Sequence, residues 1–164
     1  KLPPAFGKDG TITAGNACGI TDGAAGLVLA SAEAAKGLGV RPLARILGAA
    51  VAAVAPGDYA IAPVASTRKL LGQLGMAVEQ FDFVEINEAF AAQMLACMRD
   101  LGVDHGRVNV WGGAIALGHP IGMSGTRILL NLVHQLVALG GRYGLATICG
   151  NGGNGASVAV ERVG

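Results

Sequence analysis

The sequence predicts an α/β fold, a mixed five-stranded sheet with helices on both faces. Short apolar runs alternate with segments whose apolar residues recur at helical spacing, which is typical of βαβ units in a largely parallel sheet. The last two apolar runs flank a glycine-rich turn, Gly150–Gly155, which indicates an antiparallel pair and makes the sheet mixed. With 164 residues, 52% of them apolar, the chain can form one domain with a sizeable core.

The first third of the chain supplies a strand, a helix and a second strand. Ala24–Ala30 is a short apolar run bounded by turn signals, which predicts a buried strand. Ser31 is suited to cap a helix over 32–38, and Gly39 is suited to end it. Residues 44–53 are rich in Val, Ile and Ala without a helical period, which predicts the second strand.

The middle of the chain supplies two helices around a short strand. A helix over Thr67–Leu74 is closed by Gly75. Phe83–Ile86 is the third strand, and the helix after it runs to Leu101, before the stop signal Gly102. The apolar residues of this helix follow the i, i+3, i+4, i+7 pattern: Ala91, Met94, Leu95, Met98 and Leu101.

The last third contains a loop, a long helix and the final strand pair. Val108–Trp111 is a short extended piece that leads into a glycine-rich loop. The helix after the loop ends at Gly140-Gly141, and the strands Leu145–Cys149 and Val158–Arg162 follow. One face of that helix is apolar: Ile128, Leu129, Leu132, Val133, Leu136 and Val137.

Composition excludes several classes of function. The net charge is +1, so nothing indicates binding to nucleic acid or to an anionic membrane surface, and no apolar run has the length of a membrane span. Three cysteines without CxxC spacing favour free thiols in a reducing compartment, and with no signal peptide we expect a cytoplasmic protein. The sequence starts at Lys1, and its opening residues resemble the middle of a longer chain. We therefore expect processing, truncation or separate encoding of another half.

The segment most suggestive of chemistry is Trp111–Arg127, WGGAIALGHPIGMSGTR. Its glycines permit tight turns and close approaches, and Pro120 biases His119 away from helical backbone. A His fixed in this way before an apolar helix is suited to act as an acid, a base or a hydrogen-bond donor. The alternative is a tight turn around a core His whose hydrogen bonds are satisfied, and the residues alone leave both open.

Two other polar positions follow predicted strands. Asn87, with Glu88, either caps the next helix or aims an amide at a substrate carbonyl or a water. Cys149 is either a small buried strand residue or a thiol beside a turn whose amides stabilise a thiolate or an oxyanion. The remaining candidates are interpreted as packing or surface residues: Cys18, Cys97, His105 and His134. Three histidines without paired spacing predict no metal site.

Long motifs in this chain resemble those of the thiolase family. NEAFAAQ (Asn87–Gln93), NVWGGAIALGHPIGMSGTR (Asn109–Arg127) and the turn after Cys149 are similar to the three C-terminal motifs of that family. TAGNACGITDGAA (Thr13–Ala25) resembles its coenzyme A-contacting loop. The resemblance extends over essentially the whole chain and corresponds to the C-terminal part of a thiolase. It implies a coenzyme A-contacting segment at 1–23 and a C-terminal thiolase domain at 24–164.

The resemblance also implies roles for individual residues. Cys149 matches the acid/base Cys, His119 the His that activates the nucleophilic thiol and donates to the thioester oxygen, and Asn87 the Asn that holds a water in the same oxyanion hole. The N–H groups of Asn151 and Gly152 match a second oxyanion hole. Five positions match contacts to the pantetheine arm or the walls of its tunnel: Ala14, Gly15, Cys18, Ala89 and Phe90. Coenzyme A thioesters are then substrates, and no permanently bound cofactor is expected.

Three positions depart from the family pattern. Cys18 stands where Ser is usual, which weakens or removes a hydroxyl contact to coenzyme A. Asn151 stands where Gly is usual, and a positive φ there would strain a non-Gly residue, although Asn tolerates it better than most. Ala60–Pro63 replaces a segment that usually contains Gly and often Met, so the preferred acyl chain is left open.

The family's nucleophilic Cys belongs to a region that is not in this sequence. We therefore expect one half of a split or cleaved thiolase that needs an N-terminal partner chain and assembles into dimers or tetramers, with an apolar face that needs cover. The alternative is a non-catalytic structural or acyl-CoA-binding subunit. A related thioester-condensing enzyme is a third possibility, but such enzymes usually place two His, or His and Asn, around their Cys, and the Cys149 turn argues against it.

Overall fold

The computed structural model describes residues 2–164 as alternating helices and strands. The strands are β1 (Ala44–Ala53), β2 (Phe83–Ile86), β3 (Tyr143–Gly150) and β4 (Asn154–Arg162). The helices are α1 (Ala32–Gly37), α2 (Ala62–Leu74), α3 (Ala91–Leu101), α4 (Ala114–Leu117) and α5 (Ser124–Leu139). Among these elements, no helix combines the length and hydropathy that a bilayer crossing requires.

The strands form one mixed sheet in the order β1-β4-β3-β2. β2 and β3 are parallel, whereas β4 is antiparallel to both β3 and β1. The α/β class, the mixed sheet and the antiparallel final pair are confirmed. The predictions of five strands and of a largely parallel sheet are wrong, because β1 joins the edge of the sheet antiparallel to β4 and the first predicted strand does not form.

The missing strand is Ala24–Ala30, which has no secondary structure. Its apolar side chains face outward, and Val28 is 98% exposed. A strand requires a neighbour for its backbone hydrogen bonds and a surface for its side chains. Residues 2–164 provide neither at this position, so the apolar composition alone does not produce a strand here.

Helices cover both faces of the sheet, as predicted. On one face, α2 and α3 bury a cluster that includes Leu70, Met98, Val84, Leu145 and Ala159. On the other face, α5 buries a smaller cluster. Its buried members are Ile128, Leu132, Val133, Leu136, Ala146 and Val160.

The boundaries of several elements differ from those predicted. α2 begins at Ala62 rather than Thr67, because Pro63 is tolerated in the first turn, where its missing N–H has no helical acceptor. The predicted stops are confirmed at Gly75 and Gly102, which have φ of 63° and 70°. The extended piece at Val108–Trp111 is reduced to one isolated bridge between Val108 and Val84.

Candidate active site

His119 lies in the loop between α4 and α5, with its ring held by the first residue of α5. Its Nδ1 is 2.6 Å from the Ser124 hydroxyl, and that hydroxyl donates to the Pro120 carbonyl at 3.0 Å. Because Ser124 has one hydroxyl proton, this network assigns the imidazole proton to Nδ1 and leaves Nε2 with a free lone pair. Burial, and then the Arg127 guanidinium, lower the pKa of His119 and favour its neutral form.

The His119 loop is fixed from two sides. Arg127 in α5 donates through Nη1 to the carbonyl of Gly118 at 2.6 Å. Gly118 has φ 86°, and a Cβ there would lie 2.4 Å from the Thr21 hydroxyl oxygen, so only Gly fits between these segments. The backbone N–H of His119 also donates to Gly19 at 2.8 Å. The N-terminal segment therefore packs directly over the His119 loop.

Asn87 follows β2 and is buried, with 1% of its surface exposed. Its backbone N–H donates to the Thr147 carbonyl at 2.9 Å, but neither Oδ1 nor Nδ2 has a partner within the protein. The capping interpretation of Asn87 is wrong, because α3 starts at Ala91 with Phe90 at its N-cap and no side-chain capping bond. A buried amide with both atoms free is suited to hold a water or a ligand.

Two residues fix the loops around Asn87 in ways that the sequence does not predict. Glu88 accepts from the Ile115 N–H at 3.0 Å and so connects the end of β2 to α4. Asn109, at φ 47°, pairs with both backbone groups of Ile86, each at 2.9 Å. Asn109 stands in the long glycine-rich motif of the sequence. Its residue type does not show that its side-chain amide forms the two hydrogen bonds to Ile86 that a neighbouring strand would otherwise form.

Cys149 lies near the end of β3, opposite Gly155 of β4. Burial raises the pKa of Cys149, its own backbone N–H opposes this, and the nearby Cys18 adds to the increase. A cavity of about 140 Å³ opens beside Cys149 and is lined also by Val51 and Asn154. Cys149 is thus a half-buried residue whose thiol has a raised pKa.

The turn after Cys149 differs from the expected backbone. Left-handed φ values occur at Gly152 (77°) and Gly153 (89°), and Asn151 is not among the residues with positive φ. The expected strain at Asn151 is therefore absent, because two glycines supply the conformation. Asn151 instead accepts from its neighbour Asn154 through its carbonyl at 3.1 Å.

The positions matched to coenzyme A contacts lie on two paired segments. Ala17 forms an antiparallel bridge to Phe90, and the Cys18 N–H donates to Ala89 at 3.0 Å. Ala14 and Gly15 lie in an exposed turn, Ala89 is buried and Phe90 is half-buried. Cys97 is fully buried beside Gln93, and burial raises its pKa to about 11, which excludes it as a reactive thiol at neutral pH.

The short segment 16–19 connects two of the candidate loops. It bonds to residues 89–91 after Asn87 and to His119 through Gly19. Its Cys18 lies within electrostatic range of Cys149. Within residues 2–164 no group of His, Cys, Asp and Glu is arranged to hold a metal ion.

Comparisons with known proteins agree with this arrangement. The family described as "Thiolase, C-terminal domain" matches residues 40–162, and "Thiolase, N-terminal domain" matches residues 1–33. The β-ketoadipyl-CoA thiolase of Pseudomonas aeruginosa is 56% identical over 99% of this chain and 41% of its own length.

Solved structures show the same relation. The Bacillus anthracis acetyl-CoA acetyltransferase superimposes with a TM-score of 0.97 at 48% identity, over 99% of this chain and 41% of that one. Human mitochondrial 3-ketoacyl-CoA thiolase in complex with CoA gives 0.94 at 44% identity, over 100% and 42%. This chain therefore spans about 41% of the length of the curated relatives it matches.

Proposed function

The chain belongs to the thiolase family, and we propose that it is the part of a thiolase that supplies His119, Cys149 and Asn87 to a reversible Claisen reaction. The substrates would be acetyl-CoA and a 3-ketoacyl-CoA, such as acetoacetyl-CoA, with no permanently bound cofactor. The observation that carries the proposal is segment 16–19, which bonds to the loops that follow Asn87 and that contain His119, and whose Cys18 lies near enough to Cys149 to affect its pKa. A cytoplasmic location is part of this proposal.

The chemistry of Cys149 fits proton transfer to and from carbon. Because burial raises its pKa, Cys149 is held as a thiol near neutral pH, and its thiolate is a stronger base than a solvated one. In thiolysis, this thiol would protonate the enolate of the departing acetyl-CoA. In condensation, its thiolate would take the α-proton from acetyl-CoA, and the carbanion would attack the acyl group carried by the nucleophilic Cys of the missing portion. The C–S bond of that acyl-Cys then breaks, and its thiolate leaves and regains a proton from the His119 imidazolium.

His119 and Asn87 would act on the other half of the reaction. The free Nε2 lone pair of neutral His119 can accept the proton of a nucleophilic thiol, and the resulting imidazolium can donate to a thioester oxygen. The Asn87 amide would hold a water that donates to the same oxygen. Each preorganised donor at a developing oxyanion contributes on the order of 3 kcal/mol. The N–H groups of Asn151 and Gly152 would supply a second such site.

An N-terminal thiolase portion, as a separate chain, is the proposed source of the nucleophilic Cys. Apolar residues of the unpaired segment 24–30 are exposed, and the N-terminal family matches only residues 1–33 here. A groove of about 1140 Å³ lies between that segment and the outer face of α5 and β4. We call it the 26–46 groove, and residues 26–32, 40–46, 129, 130, 133 and 160–164 line it together with Ala35. Dimers or tetramers of the completed units are proposed as well.

The test is reconstitution with the N-terminal portion of the Pseudomonas aeruginosa relative. We expect no thiolysis of acetoacetyl-CoA by this chain alone and measurable turnover by the complex. The matched control is the same complex with Cys149→Ala, which should form equally well and lack turnover. Appreciable turnover by the chain alone would contradict the partner requirement.

The same preparation distinguishes the non-catalytic alternative. A complex that binds coenzyme A in calorimetry but consumes no acetoacetyl-CoA would identify an acyl-CoA-binding subunit. That outcome would overturn the catalytic proposal while leaving the family assignment intact.

A further inference from the structure

Four hydroxyl side chains are buried together where α2 crosses β3 and β4. They are Ser66 and Thr67 of α2, Thr147 of β3 and Ser157 of β4, and we call them the hydroxyl cluster. Ser157 lies at the centre, 2.7 Å from Ser66, 2.8 Å from Thr147 and 3.0 Å from Thr67, measured between hydroxyl oxygens. Burying a polar group in an otherwise apolar helix–sheet interface costs free energy unless its hydrogen bonds are satisfied. Packing alone therefore does not explain why four hydroxyl groups are buried here.

The hydroxyl protons can be assigned without leaving a group unpaired. Thr147 donates to the Ala156 carbonyl at 3.1 Å, and Ser157 then donates to Thr147. Ser66 and Thr67 both donate to Ser157, which accepts twice. The Ser157 side chain of β4 is therefore bonded to a helix and to the adjacent strand β3, and it fixes the relative position of these three elements.

The hydroxyl cluster adjoins two of the proposed active-site loops. The Thr147 carbonyl accepts the backbone N–H of Asn87 at 2.9 Å. Thr147–Ser157 and Cys149–Gly155 are pairs two residues apart in the same ladder, so they face the same side of the sheet. Thr147 is thus hydrogen-bonded to the backbone of Asn87 and lies two residues before Cys149 in β3, on the same side of the sheet.

The start of α2 extends this contact to the immediate surroundings of Cys149. An added Cβ at Gly155 would lie 2.3 Å from the Ala62 carbonyl oxygen, so the first residue of α2 packs against the residue opposite Cys149. Ser66 and Thr67 follow on the same helix and are held by Ser157. A shift of α2 would therefore change the space and the solvent access around Cys149.

We infer that the hydroxyl cluster is a positioning network that sets the placement and burial of Cys149 relative to the Asn87 loop. None of its side chains needs to touch substrate. The purpose of the network rests on the proposed function, but its effect on Cys149 is a property of the chain itself. Thr147 is the residue on which the inference depends most, because it links the network to both loops.

The experiment measures the reactivity of Cys149 in the folded 164-residue chain. Iodoacetamide labelling is followed between pH 6.5 and 10, about the range in which a thiol titrates, with peptide mass spectrometry to separate Cys149 from Cys18. Thr147→Val keeps the side-chain shape and removes the hydroxyl. We expect faster labelling of Cys149 at pH 8, by about threefold, which corresponds to a decrease of about half a pKa unit. Thr147→Ser, which keeps the hydroxyl, should restore the slow rate.

Val103→Ala is the control for general destabilisation, because Val103 is buried beyond the far end of α3. It should lower the melting temperature without altering the Cys149 rate. Ser66→Ala is a milder second variant, because it leaves Ser157 bonded to two hydroxyls. Wild-type labelling of Cys149 in both Thr147→Val and Ser66→Ala would overturn the inference. Absence of thiolysis by the wild-type complex would instead refute the proposed function, and the labelling result would still decide the role of the hydroxyl cluster.

Discussion

At the scale of single residues, the protonation state of His119 follows from one hydroxyl. Ser124 is the first residue of α5 and bonds back to the Pro120 carbonyl, as Ser does in helices. Its proton is thereby used, so its oxygen accepts from Nδ1 of the ring. The same helix start therefore fixes both the orientation and the tautomer of the imidazole, which a sequence pattern cannot show.

Glu85 is a second residue whose protonation is set by its surroundings. It is 2% exposed in β2 and accepts from Gln135 of α5 at 2.7 Å. Burial raises its pKa to about 7, the Gln135 bond and Arg127 oppose this, and Glu88 adds to the increase. The folded chain therefore holds a proton on Glu85 at a pH where the unfolded chain has lost it.

The consequence is a pH-dependent stability with a defined sign. A carboxyl group with a raised pKa favours folding below its unfolded value, and this contribution is lost as pH rises through the folded value. Between pH 4.5 and about 7, the free energy of unfolding should fall relative to Glu85→Gln. The total change is about 3 kcal/mol. Urea denaturation of both proteins at pH 5 and pH 7.5 captures most of it, about 2 kcal/mol.

Glu79→Gln is the matched control, because it removes one negative charge from an exposed position. Its difference from wild type corrects for the change in net charge. An equal difference between wild type and Glu85→Gln at both pH values would contradict the prediction.

At the scale of elements, local signals were sufficient where a segment satisfies its own requirements. The helical period and Gly102 located α3 up to Leu101, and the glycine-rich turn located the β3–β4 pair. These features depend on backbone preferences and on residues close in sequence. The order of the strands depends on contacts between distant residues, and the alternating pattern favoured a more parallel sheet than the one that forms.

The candidate site was predictable to a similar extent. The resemblance selected Asn87, His119 and Cys149. Segment 16–19 bonds to the loops that follow Asn87 and that contain His119, whereas Cys149 lies near the end of β3. The roles of the supporting residues were not predicted. Glu88, Asn109 and Ser124 act through bonds to backbone groups that come near only after folding.

The contact between α2 and β4 gives a prediction at this scale. In Gly155→Ala, the new Cβ would meet the Ala62 backbone carbonyl at 2.3 Å, so the start of α2 must move. We expect a loss of about 1–3 kcal/mol in the free energy of unfolding, as is usual for overpacking.

Gly72→Ala, in α2 itself, is the matched control, because nothing lies within 4 Å of its added Cβ. It should stabilise the chain by about 0.5–1 kcal/mol through helix propensity. Chemical denaturation checks both values, and equal effects would refute the steric argument.

At the scale of the whole molecule, the two faces of the sheet are unequally covered. α2 and α3 close one face around the larger cluster, whereas α5 leaves the 26–46 groove open beside β4. Large apolar side chains remain exposed around that groove: Val28, Leu29, Val40, Leu43 and Ile46. Contiguous apolar surface of this kind marks an interface, which supports the proposed N-terminal partner.

Val28→Asp tests that interface, because Val28 is 98% exposed and belongs to the unpaired segment 24–30. The substitution removes no contact within the chain, so its melting temperature should be unchanged. In the complex, a carboxylate would have to be buried without a partner, which opposes association. We expect the dissociation constant for the N-terminal portion to rise by at least about tenfold, equal to about 1.4 kcal/mol.

Leu95→Asp is the control, at an exposed apolar position on α3 away from the groove, and it should leave this dissociation constant unchanged. Titration calorimetry compares the three proteins, and equal affinity of Val28→Asp and wild type would show that segment 24–30 does not contribute to the interface.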